Sequence, residues 1–194
     1  MGIPFKMRKA VFFDRDGVLN HSILINGVSC PPANAREMEF TPGARECIAH
    51  LKTMNYLCIC ATNQPDFSRG MRTRANIDSM NRKTLVRLNL DDLYVCLHDN
   101  HHRCHCRKPR PGLLLMAAEQ WNIDLTQSWM IGDRETDIGA GRGAGCHTIL
   151  LTTNNAQPAE TRADYICSSL DEIPGIIKGN SIIAPMRPEQ HMEA

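Results

Sequence analysis

The chain has 194 residues, 42% apolar and 22% charged, with a formal net charge of +1. That composition suits a soluble globular domain with a sizeable core, and the near balance of charge argues against nucleic acid or an anionic membrane as the main partner. No apolar run reaches the roughly 18 residues of a membrane span, and the start, MGIPFKMRKAVFF, lacks the long apolar stretch of a secretory signal. The expectation is one domain over residues 1–194, cytoplasmic and monomeric. The nine cysteines are odd in number, so a disulfide scaffold is a poor reading.

Ala10 to Phe13 (AVFF) reads as a short buried strand. It stops at Asp14-Arg15-Asp16-Gly17. Two carboxylates two residues apart beside a buried strand are expensive unless something uses them. Ligands of an open α/β sheet bind outside the carboxyl ends of its strands. Asp-Gly also suits the turn of a hairpin, and on these residues alone the two readings stand level.

Residues 21–40 have no helical or strand period and carry Asn26-Gly27 and Pro31-Pro32. That is long for a bare connection, so the segment is either functional or holds a small hairpin. Thr41 is placed to cap a helix whose first residue is Pro42, with Ala44, Cys47, Ile48 and Leu51 as its apolar stripe. Residues 55–62 (NYLCICAT) form the near-continuous apolar run of a strand covered on both faces. Strand, helix, strand in this order is the crossover unit of a parallel sheet.

An amphipathic helix follows over 71–88, with Ile77, Met80, Leu85 and Leu88 toward the core, then a strand over 93–97. A helix is expected from Gly112 to Gln120 and a strand from Ser128 to Ile131, ending in Gly132-Asp133. The short helix over 137–143 is rich in glycine, which weakens a helix and implies close packing on the sheet. A strand over 147–151 and a short helix or turn near 170–174 complete the pattern, and the residues from Arg187 read as a polar, frayed end. The fold class is α/β, a Rossmann-like three-layer sandwich with a mostly parallel sheet.

Four strand ends thus carry polar groups: Asp14 and Asp16, Thr62 and Asn63, the segment up to Lys108, and Asp133 with Asp137. This set can transfer a phosphoryl group. One carboxylate can attack phosphorus, a second can protonate the leaving oxygen and then deprotonate water, and Mg²⁺ can be held by the carboxylates. Thr62, Asn63 and Lys108 can donate to the phosphoryl oxygens. Individually, Thr62 also reads as a turn cap, Lys108 as a surface lysine, and Asp137 as a helix-terminal charge.

Residues 96–110 read CLHDNHHRCHCRKPR. Cys96, His98, Cys104 and Cys106 offer three thiolates and an imidazole, the tetrahedral set of a structural Zn²⁺. A plain polar loop and a disulfide are the alternatives. Four protein ligands leave no open position, so the ion would order the chain just before Arg107 and Lys108.

DRDGVLN (14–20), Thr62, Lys108 and GDRETD (132–137) together resemble the four motifs of the haloacid dehalogenase superfamily. The resemblance implies Asp14 as nucleophile and Asp16 as acid/base. It also implies Mg²⁺ on Asp14, on the main-chain oxygen of Asp16 and on Asp133, with Asp137 supporting. No cap domain fits between the motifs. The zinc loop at 96–106, with TNQ (62–64) and CRKP (106–109), resembles the zinc-containing branch that acts on heptose bisphosphate or histidinol phosphate. Thr62 to Gly70 and Arg107 to Gly112 are heptose-like, whereas Leu97 stands where that branch usually has proline and the His98–Cys104 spacing is short.

The expected activity is hydrolysis of a phosphorylated sugar, D-glycero-D-manno-heptose 1,7-bisphosphate at C7, with Arg69 and Arg107 on the far end of the substrate. Histidinol phosphate, another small-molecule phosphate, and a non-enzymatic zinc-containing binding module are the alternatives. The last draws on the basic run from His101 to Arg110.

Overall fold

The structure is a computed structural model that describes residues 6–25, 28–152 and 160–180. Six strands form one sheet: β1 (Lys9–Phe13), β4 (Tyr56–Asn63), β5 (Asp92–Cys96), β6 (Trp129–Gly132), β7 (His147–Leu151) and β8 (Tyr165–Cys167). Their order is β5-β4-β1-β6-β7-β8, and every neighbouring pair is parallel. From β1 the chain steps outward through β4 to β5, then returns to build β6, β7 and β8 on the other side. The order reverses between β1 and β6. At such a switch point the connections leave in opposite directions, and a crevice opens beyond the strands' carboxyl ends.

Period-two alternation explains the apolar runs. Ala10 and Phe12 enter a core with Leu57, Ile59, Met130 and the buried face of helix α3 (Gly112–Trp121). Val11 and Phe13 enter the opposite core with Ile131, Ile149 and the apolar faces of α1 (Ala44–Thr53) and α5 (Ile173–Asn180). Residues 10–13 are fully buried, and burying a phenylalanine side chain stabilises by roughly 2–3 kcal/mol. A strand covered on both faces leaves no polar position. Helix α4 (Glu135–Ala144) lies close on the sheet, as its glycines implied. A Cβ on Gly141 would sit 2.6 Å from Met130 Cβ and 2.7 Å from Thr148 Cγ2.

The segment 21–40 does hold a hairpin, with β2 (Ile23–Ile25) antiparallel to β3 (Val28–Cys30). The stretch after it is held by side chains of α2 (Arg74–Arg87) and the residues just before it. Arg72 donates to the carbonyls of Pro31 and Pro32, Asn76 to Ala33, and Lys83 to Ala35 and Met38. These donors satisfy main-chain oxygens that no ladder reaches.

Helix α1 starts at Ala44, two residues later than expected. Gly43 is its N-cap at φ 78°, and Thr41 makes no side-chain cap. Helix α2 starts at Arg74 because Thr73 Oγ1 accepts from Asn76 N at 3.2 Å. Leu85 is only half-buried, and strand β8 was not foreseen. The end from Arg187 lies outside the described residues. Among the described residues only the hairpin and α1 lie between β1 and β4, and only α2 and β5 between β4 and the cysteine-rich loop that ends at Cys106, so no cap domain covers the crevice. No helix among the described residues is long and apolar enough to cross a membrane.

Candidate active site

Asp14 leaves the end of β1, its amide donating to Ile131 O at 2.9 Å. Asp133 leaves the end of β6, and Asp137 lies in the first turn of α4. The switch point therefore brings the three carboxylates together, with one oxygen from each inside a 4.8 Å cluster. Gly17 makes the approach feasible. Its φ is +94°, and a Cβ there would lie 2.3 Å from Asp133 Oδ2.

Lys108 is 2% exposed and reaches into this cluster. Its Nζ lies 2.8 Å from Asp14 Oδ1 and 2.6 Å from Asp137 Oδ1, and donates to Ala61 O at 2.8 Å. Burial works against its charge, but Asp137 and Asp14 outweigh burial and hold the ammonium above the ordinary lysine range. The second oxygen of Asp137 accepts from Arg134 N at 3.1 Å. Asp137 is therefore both a helix-end ligand and a clamp on Lys108. Asn63 holds the same lysine by its main chain, giving Nδ2 to Lys108 O and taking Lys108 N on Oδ1, both at 3.1 Å.

Burial pushes the Asp14 carboxyl up to about 6, with Lys108 pulling it back and Asp137 and Asp16 adding to the rise. Burial, with the charges of Asp14 and Asp137, pushes Asp133 up to about 7 against the pull of Arg134 and Lys108. Asp133 Oδ1 is buried without a hydrogen-bond partner. Two raised carboxyls and an orphan oxygen leave negative charge that one lysine does not neutralise. A hard divalent cation takes such an oxygen-rich donor set, so these residues fit Mg²⁺.

Asp16 points into a different set. Arg15 Nη2 lies 2.8 Å from Asp16 Oδ2 and its Nε 3.2 Å from Oδ1. Gln64 Nε2 donates to Oδ2 at 2.7 Å and Asn20 Nδ2 to Oδ1 at 3.0 Å. Burial opposes the Asp16 charge, but the Arg15 guanidinium and these hydrogen bonds prevail and hold the carboxyl below the usual range. Gln64 Nε2 also donates to Thr62 Oγ1 at 3.0 Å, linking Thr62 to Asp16. The sequence reading missed Arg15, Asn20 and Gln64. An arginine between two aspartates in a buried turn was the available signal.

In the loop at 96–106 the three thiol sulfurs lie 3.2–3.7 Å apart. His98 Nδ1 is 3.3 Å from Cys106 Sγ and 3.6 Å from Cys96 Sγ. These are near the edges of a tetrahedron with Zn–S of about 2.3 Å and Zn–N of about 2.0 Å, and far beyond a ~2.05 Å disulfide. Cys96, His98, Cys104 and Cys106 thus fit Zn²⁺.

The two rim arginines are engaged within the protein. Arg69 holds both oxygens of Asp99 at 2.8 Å, tying its loop to the loop at 96–106. Arg107 donates to Asn100 Oδ1 at 2.7 Å and to His98 O at 3.3 Å. A cavity of about 930 Å³ opens at the opposite end of the strands, beside the starts of β1 and β4. Its carboxylates, Asp91 and Asp124, are bound by Lys52, Cys58 N, Thr126 and Gln127, so it offers none of this chemistry.

The family model described as HAD-hyrolase-like matches residues 105–173. The D-glycero-beta-D-manno-heptose-1,7-bisphosphate 7-phosphatase of Helicobacter pylori (strain J99) is 36% identical over 177 residues, 88% of this chain and 97% of its own. That of Pasteurella multocida (strain Pm70) is 33% identical over 189 residues, 89% and 98% of the two chains. The D,D-heptose 1.7-bisphosphate phosphatase from B. bronchiseptica, solved with magnesium and phosphate, aligns with a TM-score of 0.76 at 27% identity. That alignment covers 89% of this chain and 99% of the other. The chain belongs to the haloacid-dehalogenase-like phosphatases. Within that class, the relatives matched over nearly their whole length bear the name of a heptose bisphosphate 7-phosphatase.

Proposed function

We propose that the chain hydrolyses D-glycero-beta-D-manno-heptose 1,7-bisphosphate at the C7 phosphate. The observation that carries this reading is the meeting of Asp14, Lys108, Asp133 and Asp137 in one crevice, in a chain that aligns with those relatives nearly end to end.

An Asp14 oxygen attacks phosphorus, the bond from phosphorus to the sugar oxygen breaks, and Asp16 gives that oxygen its proton. The product is a phosphoaspartate on Asp14. Water then attacks the same phosphorus, Asp16 takes a proton from it, and inorganic phosphate and free Asp14 result. Arg15, Gln64 and Asn20 keep Asp16 ionised in the free site, the form needed for the second half. A dianionic phosphoryl group arriving nearby raises the proton affinity of Asp16 and loads it for the first half. Lys108, held protonated by Asp137, offsets charge on Asp14 and on the phosphoryl oxygens. Thr62 acts through Gln64, and Asn63 through the Lys108 main chain.

Asp14, Asp133 and the main-chain oxygen of Asp16 would hold Mg²⁺, which supplies the positive charge that lets an anionic nucleophile meet an anionic substrate. Zn²⁺ on Cys96, His98, Cys104 and Cys106 would order the loop that leads into Lys108. Arg69 and Arg107 have guanidinium N–H groups beyond those engaged with Asp99, Asn100 and His98, available to the far phosphate.

One observation favours a second reading, histidinol phosphate. His21, Ser22, Glu37 and Glu39 line a cavity of about 380 Å³, and its two glutamates suit a cationic amine better than a second phosphate. The test is kcat/KM on heptose 1,7-bisphosphate in both anomers, histidinol phosphate and hexose phosphates. Preference for the beta heptose bisphosphate is expected. A hundredfold preference for histidinol phosphate would overturn the choice.

A further inference from the structure

Arg15 is fully buried and among the largest side chains to be so, yet the mechanism gives it no contact with substrate. Its guanidinium faces two ways. The Nε and Nη2 edge holds Asp16. The remaining nitrogen, Nη1, donates to Asn81 Oδ1 at 2.7 Å. Asn81 lies 66 residues further along the chain, in α2, and is 7% exposed. It shares the inward face of that helix with Ile77, Met80 and Thr84.

We propose that Asn81 is a positioning residue for proton transfer at Asp16, acting through Arg15. The proposal rests on the reading of Asp16 as the acid/base. A guanidinium bound only to Asp16 would follow that carboxylate as it turned. A second acceptor on a fixed helix sets the plane of the fork, and a planar fork sets the carboxylate that it grips at both oxygens. Helix α2 is suitably fixed: its buried face packs on Met38, and Asn76 and Lys83 bind the carbonyls of Ala33, Ala35 and Met38. Gln64 cannot do the same alone, because its single amide nitrogen also serves Thr62. Proton transfer needs the acid within hydrogen-bond reach of the leaving oxygen, so a loosened Asp16 loses rate without losing substrate.

Leaving-group chemistry tests this. An alkoxide needs the proton from Asp16 as it departs, whereas 4-nitrophenolate is stable enough to leave with little help. kcat/KM is measured on the best alkyl monoester of the substrate panel and on 4-nitrophenyl phosphate, for wild type, Asp16→Asn, Asn81→Leu and Asn81→Asp. Removing the acceptor in Asn81→Leu should lower the alkyl value by about tenfold or more, a part of the 10²–10⁴ that general acids supply. The nitrophenyl value should fall less than about threefold by the same reasoning. Asn81→Asp keeps an acceptor in place and should restore the wild-type ratio. Asn81→Ser, which draws the acceptor back from Arg15 with less disturbance to the core, is read the same way should Asn81→Leu fail to fold. Selective loss in Asp16→Asn with equal or no loss in the Asn81 variants overturns the inference alone. No selective loss in Asp16→Asn overturns the reading of Asp16, and the inference with it.

Discussion

Removing Mg²⁺ should make the stability of this protein fall as pH rises, and the carboxylate cluster sets the size of the fall. Asp133 is raised from 3.8 to about 7 and Asp14 from 3.8 to about 6. An acid with a raised folded-state pKa is stable when neutral, so its cost begins near pH 4 and is complete above its folded pKa. For Asp133 the full cost is about 4 kcal/mol, of which about 3 kcal/mol accrues between pH 5 and pH 8. In a chain of this length that lowers Tm by roughly 5–10 °C.

The other shifted carboxyl groups stay out of the window. Asp16, Asp124 and Glu172 are depressed, so their stabilisation is lost only as pH falls below the ordinary carboxylate values of 3.8 and 4.5. The raised Lys108 loses its contribution only above 10.5. The assay is thermal unfolding by circular dichroism at pH 5 and pH 8, in buffer dialysed free of magnesium and again with millimolar Mg²⁺. Dialysis spares zinc, which a strong chelator would strip. Mg²⁺ binds the ionised carboxylates, so it should raise Tm at pH 8 and leave pH 5 nearly unchanged. Asp133→Asn should flatten most of the magnesium-free slope. A flat or rising Tm in wild type, or an unaltered slope in Asp133→Asn, would refute the reasoning.

Asp14→Asn should lower kcat at least about a thousandfold, since an amide is a poor nucleophile. Turnover above one-tenth of wild type, with contamination excluded, would end the phosphoaspartate mechanism. Zinc should be present at one per chain by elemental analysis of protein purified without added metal. Cys104→Ser should lose the zinc and lower Tm while keeping the alkyl-to-nitrophenyl ratio of wild type; a zinc-free wild type would defeat the metal assignment.

Much of the architecture was legible in the residues themselves. The runs in β1, β4, β6 and β7 are apolar without break because both faces of each strand are covered. A carboxylate directly after such a run has few explanations, and Asp14 and Asp133 meet at the carboxyl ends of their parallel strands. The cluster of Cys96, His98, Cys104 and Cys106 was equally plain, because its members lie within one loop. Strand β8 was not: it is three residues long, with Ile166 exposed at the sheet's edge, and so lacks the doubly buried run. The start of α1 was misplaced because Pro42 and Gly43 form a turn ahead of it, and the local capping signal at Thr41 does not record that.

The sequence by itself determined which chemical groups stand at the strand ends, since the carboxylates of Asp14, Asp16 and Asp133 and the hydroxyl of Thr62 are read directly from residue type after an apolar run. Only the tertiary structure decided what each group is bound to. Asp16 draws on Gln64, 48 residues away, and its partner Arg15 on Asn81, 66 residues away. Lys108 draws on Asn63, 45 residues away. Arg69, expected at the substrate, grips Asp99. Those pairings depend on the order of strands in the sheet and on the placement of α2 against it. Hydrogen bonds act over about 3 Å, and distance along the chain carries no information about which partners the fold brings within that range.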